Sequence, residues 1–105
     1  MLRTEKIVIK DETFVIKSLK GDDFADLFSF ASKHSGEEDN FKMSEITADE
    51  IKVLYRLCLN SAKDARPDMA KDLDILERFV TQNLFEFLPV VIKVNFPEKW
   101  LILTH

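Results

Sequence analysis

Along this chain the spacing of apolar residues changes once, from every second residue to every third or fourth, and that switch limits what it can fold into. From Glu5 to Lys10 the sequence reads Glu-Lys-Ile-Val-Ile-Lys, placing Ile7 and Ile9 on one face and Lys6, Val8 and Lys10 on the other. That is the alternation of a β-strand. Thr13 to Leu19 repeats it with Phe14 and Ile16, and the intervening Asp11-Glu12 is short enough to close an antiparallel hairpin over 5–19. The turn has no glycine; Asp11 tolerates a positive φ, whereas Glu12 does not.

Past Lys20-Gly21 the period lengthens. Phe24, Leu27, Phe28 and Ala31 fall at i, i+3, i+4 and i+7, behind acids at Asp22, Asp23 and Asp26 and ahead of Lys33 and His34. Charges of these signs complement a helix macrodipole at both ends, and Ser35-Gly36 supplies a stop. Residues 35–46 keep neither period and read as an acidic loop holding isolated Phe41 and Met43. Thr47-Ala48-Asp49-Glu50 then matches a capping box, in which the hydroxyl and the carboxylate satisfy orphan N–H groups at a helix start. The helix behind it presents Ile51, Leu54, Cys58 and Ala62, widened by Tyr55 and Leu57, and fails between Asp64 and Pro67.

Pro67 suits the first turn of a third helix, because its missing N–H would have no partner there. Met69, Leu73, Leu76 and Val80 continue the stripe. Thr81 to Asn95 is apolar on almost every side and contains Pro89, so a last helix kinked near Pro89 is expected, in preference to a buried strand from Val90 to Val94. The expected fold is α+β, an N-terminal β-hairpin followed by three to four helices over 22–96 and an apolar tail over 97–105. No repeat divides it and only two glycines and three prolines are present, so 1–105 reads as one domain without an interdomain linker.

Composition narrows the function classes. A chain of 105 residues buries roughly 60 to 68% of its unfolded surface, which leaves little room for a deep catalytic cleft. No run approaches the ~18 apolar residues that cross a bilayer, and no signal-peptide pattern opens the chain. A soluble cytoplasmic protein is expected, with no membrane partner. The single Cys58 cannot close an intramolecular disulfide, in keeping with a reducing compartment.

Reactive constellations are wanting. A phosphate cradle needs clustered glycines, but Gly21 and Gly36 lie far apart. Structural zinc takes four Cys or His ligands, and this chain offers Cys58, His34 and His105. Cys58 sits on the apolar stripe and reads as a packed thiol, not as a nucleophile with His34 as its base. The acids at 22, 23 and 26 and at 37–39 lack the alternating ligands of a calcium loop and read as caps and solvated surface. Neither an enzyme nor a cofactor is expected.

Nucleic acid is disfavoured too. Lys52, Arg56 and Lys63 make one helix somewhat basic, yet residues 51–105 carry eight basic against seven acidic side chains (+1) and residues 1–50 seven against twelve (-5), for a net charge of -4. That balance opposes the counterion release that drives such binding.

What remains in surplus is apolar. Among nine phenylalanines and a single tryptophan, Phe30 and Phe41, with Met43, Trp100, Leu101 and Leu103, lie off the stripes or in loops. They are the candidate partner-binding residues, and together they favour association over catalysis.

With those segments in view, Glu-Lys-Ile-Val-Ile-Lys, then Thr-Phe-Val-Ile-Lys-Ser-Leu, then the acidic helix start at Asp22-Asp23-Phe24 resemble the opening of tail assembly chaperones from long-tailed bacteriophages. The capped helix Ile51 to Ala62, Leu73 to Val80, and Asn83 leading into Phe85 to Asn95 resemble that family's helical half. The likeness covers Glu5 to Phe96 and consists of patterned apolar and polar positions without an invariant catalytic residue. The turn without glycine and the long acidic stretch at 35–46 depart from it. The resemblance implies a non-enzymatic protein of the host cytoplasm that keeps the tape measure protein, or another phage tail protein, soluble during tail assembly and does not stay in the virion. It also implies a longer frameshifted product of which this chain is the short form. Self-association through the hairpin's open edge is expected as well. The second reading is a virion structural protein such as a head–tail connector or tail-completion subunit, and the third a small acidic regulator that binds a host protein.

Overall fold

A computed structural model describes residues 4–34 and 46–96. The expected acidic loop, apart from Ile46, and the apolar tail over 97–105 lie outside the described residues.

The chain begins with strands β1 (Thr4–Ile9) and β2 (Glu12–Lys17), paired antiparallel with Ile7 opposite Phe14 and Lys6 opposite Val15. Ile9, Phe14 and Ile16 are buried and Ile7 is partly buried against them, so the inward face is the one the alternation indicates. The turn is displaced by one residue from its expected place. Lys10 (φ 49) and Asp11 (φ 68) form it, both left-handed, as in the type I′ turn whose twist follows that of the strands. Glu12 stays in the strand opposite Ile9.

Gly21 (φ 62) turns the corner into α1 (Gly21–His34), a backbone region that glycine enters without steric cost. α2 (Ala48–Ala65) starts at the expected capping box: Glu50 N donates to Thr47 Oγ1 at 3.1 Å and Thr47 N donates to Glu50 Oε1 at 2.9 Å. The expected third helix is broken in two. Pro67 opens a single turn, α3 (Pro67–Ala70), and Asp72 then caps α4 (Leu73–Gln82) by accepting from Ile75 N at 3.3 Å. An aspartate that satisfies an orphan N–H favours starting a helix over continuing one. α5 (Leu84–Asn95) likewise begins three residues later than the expected Thr81, since Asn83 ends α4. α5 runs through Pro89, whose lack of an N–H leaves the Phe85 carbonyl without its usual helical donor; the strand considered for Val90 to Val94 does not form.

One cluster of buried side chains joins the hairpin to the helices. Phe14, Ile16, Leu27, Leu54, Leu57, Leu76, Val80, Phe87 and Val91 are fully buried within it, each large apolar side chain contributing about 1.5 to 3 kcal/mol relative to exposure. Phe14 stacks edge-on against Phe87 at 5.0 Å and lies 5.7 Å from Phe79. Arg66 covers this trio from outside, 5.7 Å above the Phe14 ring. From there its Nη1 donates to Glu12 Oε1 at 3.0 Å and to the Thr13 carbonyl at 3.1 Å. The hairpin is thus fastened to the junction of α2 and α3.

Candidate functional site

α1 carries apolar residues at 24, 25, 27, 28, 30 and 31, more than one helix face holds. The spacing centres the stripe on Phe24, Leu27, Phe28 and Ala31, but the face turned inward is Leu27, Phe30 and Ala31. At 100° per residue that is a rotation of roughly 60°. Phe30 is therefore a correction: expected as a partner contact, it is 5% exposed and part of the core. The other expected contacts, Phe41, Met43, Trp100, Leu101 and Leu103, lie outside the described residues.

The same rotation brings Phe24 and Phe28 to the surface, 36% and 50% exposed. They do not stand singly. Phe24 lies 6.4 Å from Phe28 and 5.3 Å from Phe96, just past the end of α5, and Phe28 lies 6.1 Å from Phe96. Two exposed rings on α1 thus rest against a buried ring, Phe96 at 9% exposure, at tilted stacking distances. Counting apolar positions could not have found it, because both exposed rings fit the stripe; the excess of apolar residues on α1 was the available signal.

The α1–α2 contact beside it is polar and closed by ions. Arg56 Nη2 pairs with Asp26 and lies 3.5 Å from Asp23, while Asn60 Nδ2 donates to Asp23 Oδ2 at 3.0 Å. Arg56, one of the three basic residues counted for nucleic acid, thereby serves the fold. An open cleft of about 260 Å³ lies between the two helices, lined by Asp26, Ser29, Phe30, Lys33, Asp49, Glu50 and Val53. Two of its three carboxylates are engaged by structure: Asp26 by Arg56, and Glu50 by the Thr47 cap and by Lys33 at 3.7 Å.

Cys58 is fully buried, and burial pushes its thiol up to about 12. A thiol held protonated at neutral pH is no nucleophile. Among the described residues no group of three or more His, Cys, Asp or Glu is placed to hold a metal ion, and no described helix is long and apolar enough to cross a membrane.

No family model, curated protein or solved structure matches the chain.

Proposed function

We propose that this chain is a non-enzymatic phage tail assembly chaperone, which covers the tape measure protein in the host cytoplasm until tail tube subunits polymerise around it. The observation that carries this reading is the exposed pair Phe24 and Phe28, side by side on α1 over the buried Phe96 ring. An aggregation-prone helical client needs a carrier whose exposed aromatic groups hold it reversibly, and two half-exposed rings give a weak, releasable contact. The net charge of -4 keeps such a complex soluble. The order of hairpin and helices, on which the resemblance to tail assembly chaperones rests, supports the same reading.

Co-expression with a tape measure protein tests it. The chain should keep that client in the soluble fraction, and Phe24→Ser with Phe28→Ser should return the client to the pellet while the variant itself stays helical by circular dichroism. Trp100→Ser with Leu101→Ser belongs in the same assay as the test of the tail residues. A client that is equally soluble with wild type and Phe24→Ser/Phe28→Ser refutes the role of that surface. Finding the protein in purified particles favours the virion connector instead.

A further inference from the structure

A second surface lies on the hairpin, on the side turned away from α2 and α5. The strand register sets Lys6 directly opposite Val15, with Val8 the diagonal neighbour of Val15 and Lys17 two residues further along. Val8 and Val15 are 58% and 44% exposed, and Lys6 and Lys17 are exposed beside them, with Lys10 in the turn. The hairpin's glutamates face the other way, where Lys93 holds Glu5 at 3.0 Å and Arg66 holds Glu12 at 3.0 Å. Lys6, Lys10 and Lys17 have no acidic partner among the described residues. A chain of net charge -4 thus sets Lys6 and Lys17, without an ion-pair partner among the described residues, beside an apolar pair, with Lys10 next to Asp11 in the turn.

We propose that this outer face docks an acidic amphipathic segment of a partner protein, its apolar side on Val8 and Val15 and its carboxylates at Lys6 and Lys17. Both halves of the surface enter the argument. Exposed valines gain from burial only against another apolar surface, so a phosphate backbone or a lipid headgroup would leave them unused. The overall negative charge also repels densely charged polyanions, while a local cluster of lysines still attracts a modestly acidic helix. A second copy laid face to face would set Lys6 and Lys17 against their own kind, which costs free energy. The valines and lysines stand on the face of the hairpin and not along its edges, so the occupant lies across the face.

The surface is separate from Phe24 and Phe28, and its test is independent of the chaperone reading. Two synthetic helical peptides of about 18 residues, with leucines at i, i+3, i+4 and i+7, a few glutamates or the same number of lysines, and alanine and glutamine elsewhere, are titrated into the full chain by fluorescence anisotropy. The glutamate peptide should bind at least about tenfold tighter than the lysine peptide and weaken by about tenfold between low and high salt. Its amide shift changes should centre on Lys6, Val8, Val15 and Lys17. Lys6→Glu with Lys17→Glu should abolish that binding, and Val8→Thr with Val15→Thr should weaken it; Lys6→Gln with Lys17→Gln serves if charge reversal disturbs the fold. Equal binding of both peptides, indifference to the variants, or a preference for duplex DNA or anionic vesicles over the glutamate peptide overturns the proposal.

Discussion

The side-chain oxygen of Asn95, at the end of α5, accepts a hydrogen bond from the backbone N–H of Leu19 at 2.8 Å across 76 residues of sequence. Its Nδ2 donates to the Val91 carbonyl at 2.7 Å, so one amide closes the link between hairpin and helices with both its groups occupied. Asn95→Ala leaves a partly buried N–H unpaired and is expected to cost about 1 to 3 kcal/mol. Asn95→Asp keeps the acceptor but turns a carboxylate oxygen toward the Val91 carbonyl, so it too should destabilise. Urea unfolding of both variants, with an unchanged m-value, is the check.

Arg66 and Asp68 meet through two parallel hydrogen bonds, Nε to Oδ1 at 2.9 Å and Nη2 to Oδ2 at 2.8 Å. Chiefly through these bonds the guanidinium holds the Asp68 carboxyl down at about 2, against an ordinary 3.8, and Arg66 is itself pushed further up by Asp68. A depressed folded-state value means that the stability is complete above the unfolded value and disappears as pH falls through the folded one. Wild type should therefore be more stable than Asp68→Asn at pH above about 4, with the difference shrinking toward pH 2. Thermal melts across that window measure it; a difference independent of pH would contradict the pairing.

Replacing Lys10-Asp11 by Asn-Gly should stabilise the protein by about 1 kcal/mol, because both positions are left-handed: lysine is strained at the first, and glycine fits the second better than the aspartate that tolerates it. Glu12→Gly, one residue on, should destabilise, since it weakens a strand and removes an Arg66 partner. Opposite signs for the two changes in chemical denaturation locate the turn; equal signs would argue against it.

The Cys58 thiol should resist an aromatic disulfide reagent in the native state at pH 8 and react at once in denaturant, because it is buried and remains protonated. Native labelling as fast as that of a free thiol would show that α2 does not pack as described.

Local rules made much of this fold legible. The Thr47–Glu50 capping box is a contact within four residues, so its geometry is implied by the residues themselves. The strand faces followed from alternation for the same reason. Where two local options compete at nearly equal free energy, the reading failed: Lys10-Asp11 against Asp11-Glu12 as the turn, Asp72 as a cap against Asp72 within a longer helix. The candidate surface was missed because Phe24, Phe28 and Phe30 are chemically identical.

The sequence by itself determined the order of elements, the inward faces of the strands, the capped start of α2 and the scarcity of reactive groups, because these depend on residue type and short spacing. Only the tertiary structure decided the rotation of α1, which buries Phe30 and exposes Phe24 and Phe28, and the partners of Arg66 and Asn95. A helix with apolar residues around more than half its circumference has no intrinsic inward side. The packed neighbours α2 and α5 choose it, by taking the face that leaves the fewest voids.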